Sequence, residues 1–403
     1  MENIEKTENA FKHGLDLIYL ANCALRKVTP QASIVKAMDL AAVYAMAEKQ
    51  SMTAIAYYGL EKWLSSENGQ ASETDGDLLA KWRKARDMAI RKNIMLDITR
   101  EKILSYMEDQ GIWYMPLKGA ILKDMYPEVG MRQMADNDIL IDAAYRKQVY
   151  EYMISLGYEG SYHEESVHDE YLKKPFYNFE IHNMLVSKNH FPEFLEYYKD
   201  AKDRLIKTEG CRYDFRDEDF YIYMTVHAYK HHNVSGNGIR HVMDVQVYLD
   251  RKKSLDWKYI NGELEKLGIA AYEATVKSLA GKIFSSNCTR PQEIETILKP
   301  DEQELLSFSL GAGTYGSVDI RVGRKMEALT QGKQLSPMLK LKYFWRRLTW
   351  EEGLYSDFPK LARYKLLYPV LYIVRALKVL VYRRKNLNNE IKAVRRIHND
   401  ADK

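Results

Sequence analysis

The sequence predicts an α+β protein in which a small mixed sheet interrupts an otherwise helical chain. Three observations carry this. Apolar residues repeat at three- and four-residue spacing through most of the first 110 positions. From Ile112 the pattern changes to short β-type runs alternating with helical stretches, and from Asp217 the helical spacing returns. Ten prolines and 21 glycines in 403 residues leave few breaks for long helices. The expected organisation is a helical N-terminal region over 1–110, a mixed α/β core over 111–215 and a helical C-terminal region over 216–403.

Element by element, LDLIYLANCALRKV from Leu15 reads as one helix, and ASIVKAMDLAAVYAMAEK, after Pro30 at a first-turn position, as a second. The polar turn formers from Ser65 to Asp77 break the pattern. A long amphipathic helix then runs from Leu78 to near Gly111. IWYMPL at 112–117, DNDILID at 136–142 and FYNFEIH at 176–182 are strand candidates. Between the last two, 143–157 reads as a helix closed by Gly157. Helices follow over 217–232, 238–252, 255–268 and 270–284, and no fixed-period repeat points to a solenoid.

Composition narrows the function classes. A net charge of +4 is too balanced for a surface that coats nucleic acid, so no nucleic-acid partner is expected. Cys23, Cys211 and Cys288 are odd in number, far apart and without a C-x-x-C, so neither a disulfide framework nor a zinc knuckle is readable. The first residues carry no apolar core behind a basic end, and no uncharged apolar run reaches the roughly 18 residues of a spanning helix. A reducing, cytoplasmic location is the expectation. The 30 tyrosines suit half-buried surfaces, where a ring packs and its hydroxyl finds a partner.

The chemistry centres on acids. Asp136 and Asp138 are two residues apart, and a strand points alternate side chains to one face, so both carboxylates project the same way. On the later strand Glu180 shares a face with Asn178 and His182. If the two strands are neighbours, Glu180 becomes a third oxygen ligand for a hard cation such as Mg²⁺, the arrangement of phosphoryl or nucleotidyl transfer. A lone Asp-x-Asp is more often a solvated strand end. Context changes that balance: Lys118 and Gly119 sit between a strand candidate and a helix candidate, where backbone N–H groups meet phosphate, and Arg132 adds a bidentate cation.

The run LKGAILKDMYPEVGMRQMADNDILI, residues 117–141, resembles the signature of the uncharacterised nucleotidyltransferase family within the DNA polymerase β-like superfamily. Glu180-Ile181-His182 resembles its third-acid strand. Weaker similarity continues through the helix with His227 and His231, through 238–244, and into a tail with Tyr368-Pro369 and Arg375. The resemblance implies a nucleotidyltransferase core that binds an NTP and Mg²⁺. By that pattern Asp136, Asp138 and Glu180 are catalytic and hold metal, Glu180 also activating or positioning the acceptor hydroxyl, while Lys118, Gly119 and Arg132 bind nucleotide. The superfamily's usual Gly-Ser is Lys118-Gly119-Ala120 here, so no serine hydroxyl reaches the phosphates. The expected reaction moves a nucleoside monophosphate to a hydroxyl of a small molecule, peptide or protein. The rival is a catalytically inactive nucleotide- or partner-binding module of a biosynthetic complex.

Other candidates carry less. His227 and His231 are one helical turn apart, with His232 and His241 near in sequence, but H-A-Y-K-H lacks the glutamate of a zincin. They read, with His182, as acceptor or phosphate contacts; a phosphohydrolase centred on His227 and His231 is the third alternative. His168-Asp169 spells a phosphohydrolase dipeptide without companion ligands, and Asp244 is placed to pair with Arg240 four residues earlier. In the tail, residues 366–385 put Ile373, Leu377 and Leu380 on one helical face and Arg375, Lys378, Tyr382 and Lys385 on another. That suits a helix docked on the protein, the favoured reading, or one making peripheral membrane contact.

Overall fold

In a computed structural model the described residues are 2–67, 75–160, 162, 168–186, 191–330, 337–350, 354, 357–358, 361–382 and 384–401. The chain forms two compact units, residues 1–230 with 238–314, and residues 231–237 with 315–403. The fold is α+β: a five-stranded mixed sheet and a two-stranded one, with helices on both sides in sequence.

The first unit opens with α1 (Glu2–Arg26), α2 (Ala32–Lys36), α3 (Leu40–Lys49) and α4 (Thr53–Leu64). The single helix expected after Pro30 is two, because Asp39 caps the second: its carboxylate accepts from the Ala42 N–H at 3.0 Å. Helices α1 and α4 pack closely at Gly59, where a Cβ would lie 2.2 Å from the Leu20 carbonyl oxygen. The long helix α5 (Gly76–Asp109) follows, and Gly111 at φ +66° closes it.

The sheet is built from β1 (Tyr114–Pro116), β2 (Asn137–Ile141), β3 (Glu159–Gly160), β4 (His168–Lys173) and β5 (Tyr177–His182), in the order β1-β2-β5-β4-β3. The short α6 (Gly119–Leu122) follows β1, and α7 (Arg146–Ser155) follows β2. Strands β2 and β5 are parallel and the remaining pairs antiparallel. The three strand candidates become β1, β2 and β5. The sequence did not disclose β3 and β4, since β3 is two residues long and HDEYLK carries Asp169, Glu170 and Lys173 and no apolar run. One face of the sheet is dry: Ile139, Ile141, Phe179 and Ile181 pack with Leu96, Ile103 and Met107 of α5 and Val149 and Met153 of α7. Asn137, on that face, is satisfied by Arg100 (3.1 Å) and the Leu96 carbonyl (3.3 Å). By alternation the other face receives Asp138, Glu180 and His182.

After α8 (Pro192–Tyr198) come the ribbon β6 (Leu205–Lys207) and β7 (Tyr213–Phe215), then α9 (Asp217–Val234), α10 (Arg240–Arg251), α11 (Trp257–Lys266), α12 (Ala270–Ile283), α13 (Pro291–Ile297) and α14 (Pro300–Ala312). One apolar core runs from Leu15 of α1 to Leu310 of α14 and takes in Met115 and Leu140 of the sheet and Leu117 just after β1. Tyrosine hydroxyls meet carboxylates around it: Tyr221 donates to Glu273 (2.6 Å), Tyr197 to Glu263 (2.6 Å) and Tyr259 to Asp219 (2.7 Å). This is how the tyrosine-rich composition is absorbed.

The second unit contains α15 (Val318–Thr330), α16 (Pro337–Leu348), α17 (Tyr368–Tyr382) and α18 (Arg384–Ala401). Val322, Met326, Tyr343, Ala393 and Val394 form its core, and buried Glu390 takes Arg347 at 2.7 Å and Arg321 at 3.7 Å. No described helix is long and apolar enough to cross a membrane.

Candidate active site

Parallel pairing sets Asp138 directly beside Glu180, the two Cα atoms being register partners. Asp138 is buried, and both its oxygens are engaged: Oδ1 lies 2.9 Å from His182 Nε2 and Oδ2 lies 3.3 Å from Lys118 Nζ. Burial alone would push its pKa up, but Lys118 and His182 overcome that and hold it far below the ordinary carboxylate range. His182 Nε2 also lies 3.5 Å from Glu180 Oε2. Burial disfavours its charged form, yet Asp138 and Glu180 raise its pKa above the ordinary 6.5.

Lys118 comes from the turn between β1 and α6, which the Leu117 N–H fixes by donating to the Asp138 carbonyl at 2.9 Å. Its φ is +45°, a backbone region that a residue with a Cβ seldom adopts, at a cost of about 1–3 kcal/mol. Its ammonium stays charged: burial opposes the charge, but Asp138 first, then Tyr223, Asp136 and Glu180, raise the pKa.

Gly119 and Arg132 are brought together. A Cβ on Gly119 would lie 2.6 Å from Arg132 Nη1 and 2.9 Å from the Met134 side chain, so these two side chains take the space a Cβ would occupy. The Arg132 fork grips Asp244, Nε to Oδ1 at 2.8 Å and Nη2 to Oδ2 at 3.0 Å, while Nη1 lies 3.3 Å from the Met134 sulfur. Tyr126 donates to the same carboxylate at 2.7 Å. Asp244 is therefore engaged across the fold, and the Arg240 guanidinium donates to the Gln133 carbonyl at 2.9 Å.

Asp136 lies just ahead of β2. Burial, then the negative charges of Asp138 and Glu180, push its pKa up to about 6 against the pull of Lys118 and Arg240. Among the described residues, ligand atoms of Asp138, Glu180 and His182 lie within 4.8 Å of one another, and a second such group joins Glu180 to His168 and Glu170. Asp136 belongs to neither group but shares their electrostatic neighbourhood. The donor set fits a divalent cation: oxygens dominate, and a carboxyl whose pKa its acidic neighbours raise is one that a dication would relieve.

Three groups were not read from the sequence as members of this site. Burial, then the charge of Lys118, lower the pKa of Lys230 on α9 to about 8, with Asp138 and Glu180 acting the other way. Tyr223, seven residues earlier and so on the same helical face, has its pKa raised to about 12 by burial and feels Lys118, Asp138 and Glu180. His227 falls between them on that stripe, its ring 6.3 Å from the Tyr223 ring. The i, i+4, i+7 spacing of these polar residues was the available signal. Arg240, through Asp136, is the third group.

His231 follows one turn after His227 on α9, and among the described residues no metal-capable group includes either. His241 is tied to the Gly238 carbonyl at 2.7 Å, and burial lowers its pKa to about 4. Adjacent on a strand, His168 and Asp169 face opposite ways: His168 lies 4.0 Å from Glu180, while Asp169 takes the Arg146 fork at 2.8 and 3.1 Å on the other side. The phosphohydrolase dipeptide is thereby divided.

A small mixed sheet that sets an Asp-x-Asp strand beside a third acid, with a strand-to-helix turn delivering a cation to them, is the arrangement expected of the nucleotidyltransferase class. The chain belongs to the uncharacterised nucleotidyltransferase family, whose profile it matches over residues 36–285. That span contains the whole acid site and ends ahead of the tail, where the resemblance at Tyr368-Pro369 and Arg375 had been read. No curated protein and no solved structure matches the chain.

Proposed function

We propose that the protein transfers a nucleoside monophosphate from an NTP to a hydroxyl-bearing acceptor, with Mg²⁺, and releases pyrophosphate. The observation that carries this reading is the in-register apposition of Asp138 and Glu180, with Lys118 on Asp138 and Asp136 beside them. The acceptor oxygen bonds to the α-phosphorus, the bond from that phosphorus to the bridging oxygen breaks, and pyrophosphate leaves. A divalent ion held by Asp136, Asp138 and Glu180 would stabilise charge developing on the transferred group. Glu180, half-buried and adjacent to His182, orients the acceptor hydroxyl and takes its proton.

Lys118 and Lys230 supply the cationic side. Each stands within reach of the other's charge, and an anionic triphosphate relieves that repulsion. Arg132 acts one step back: held by Asp244, it fills the space above Gly119 and fixes the turn that presents Lys118. His227 lies on the stripe between Tyr223 and Lys230, where an acceptor or phosphate would meet it.

Asp138→Asn decides the reading. With each of the four NTPs, Mg²⁺ and a panel of hydroxyl acceptors, pyrophosphate release is expected to fall by about 10²-fold or more while circular dichroism is unchanged. Undiminished release in the variant overturns the assignment. NTP binding by calorimetry, with no release over the whole panel, points instead to the inactive binding module.

A further inference from the structure

Helix α17 is amphipathic in the inverted sense. Val370, Ile373, Val374, Leu377, Leu380 and Val381 recur at three- and four-residue spacing and are 42% to 68% exposed. Arg375 turns inward instead, and half-exposed Lys378 reaches the same buried carboxylate, Asp357. Arg375 Nε lies 3.1 Å from Asp357 Oδ2, its Nη1 donates to the carbonyls of Leu348 (3.2 Å) and Trp350 (2.9 Å), and Lys378 Nζ lies 3.0 Å from Asp357 Oδ1. A helix on a water-facing surface does the opposite. The sequence spacing grouped Arg375 and Lys378 on one helical face; the folded chain uses both to grip Asp357.

Helix α16 also exposes apolar residues, Met338, Leu341 and Trp345 at 78%, 70% and 60%. Exposed Lys342 and Arg346 flank that stripe, and exposed Arg363, Lys365 and Arg384 border α17. Among the described residues from 337 to 396 the only carboxylates are Asp357 and Glu390, both pointed inward at arginines. The α16–α17 face is thus apolar with a basic rim and no described acid on it, the described exposed acids of the unit, Asp319 and Glu327, lying on α15.

We infer that this face of the second unit lies on an anionic phospholipid surface. The α17 helix, of 15 residues, is shorter than the roughly 20 needed to span a bilayer, so its apolar stripe enters the interface in the plane of the membrane. Exposed Trp345, Tyr364 and Tyr382 suit the headgroup level. The basic rim attracts lipid phosphates and repels a second copy of itself, which distinguishes a bilayer from self-association.

Flotation of the full chain with phosphatidylglycerol/phosphatidylcholine vesicles tests this, beside phosphatidylcholine vesicles alone. Expected is co-flotation with the anionic vesicles only, reduced about tenfold in Ile373→Glu/Leu377→Glu and weakened by salt. Because all these side chains are exposed, folding is expected to persist; Lys342→Glu/Arg346→Glu provides a second variant that leaves the apolar stripe untouched and should lower binding too. No co-flotation of the unaltered chain, or co-flotation indifferent to both variants, overturns the inference. So does concentration-dependent dimerisation that Ile373→Glu/Leu377→Glu abolishes without any vesicle binding, which would make the occupant a second copy.

Discussion

Two aspartates separated by one residue have been driven in opposite directions. Asp138 is held ionised by Lys118 and His182, whereas burial and its acidic neighbours lift Asp136 to about 6. Divergent environments of this sort accompany sites that handle charge. In the metal-free protein the folded Asp136 keeps its proton to higher pH than the unfolded chain does. Folded protein therefore binds more protons between 3.8 and about 6, and stability falls as pH rises through that window. Asp136→Asn, which cannot ionise, is expected to stabilise the metal-free protein by on the order of 1–3 kcal/mol at about pH 7.5, after allowance for partial exposure, with the gain fading towards about pH 4. Thermal melts in chelator at the two pH values check this, and an unaltered or lowered melting temperature at the higher pH contradicts it. The Asp-x-Asp pair was legible because strand alternation is local. Lys230 was not, because a lysine on an amphipathic helix ordinarily faces water, and only the tertiary fold brings it towards Lys118.

Among elements, the Arg132–Asp244 fork joins the loop before β2 to α10, and Tyr126 completes it. Both charges are buried, so deleting either partner strands the other. Arg132→Met or Asp244→Leu alone should cost about 3–5 kcal/mol, while the double variant should cost clearly less than the sum. Urea unfolding of the four proteins measures this, and additive losses would show that the two side chains are not coupled. Sequence spacing proposed Arg240 for Asp244 because helical neighbours are all that it reveals. A pair 112 residues apart leaves no periodic trace. The same limit hid β4, where buried Asp169 finds its partner in Arg146 and only Tyr171 joins the dry core.

At the scale of the whole molecule, the strands that carry the acids do not own their core. The dry face of the sheet is completed by Leu96, Ile103 and Met107 of α5, and Leu117 and Leu140 join the core that reaches α14. A fragment of residues 111–215 alone is expected to lack a cooperative thermal transition, since it would expose that surface and lose Asp244. A sharp melt from the fragment would refute this. The helical flanks were readable from periodicity, but their packing into one core with the sheet was not. The parallel pairing of β2 with β5 also bears on when the site comes into being. Asp138 can meet Glu180 only after the intervening chain has been gathered by α7 and the β4–β5 hairpin, and long-range closures of that kind are entropically late. Local helices and the β4–β5 hairpin are therefore expected to form before the acids converge, so the complete acid site is expected only once β2 and β5 have paired.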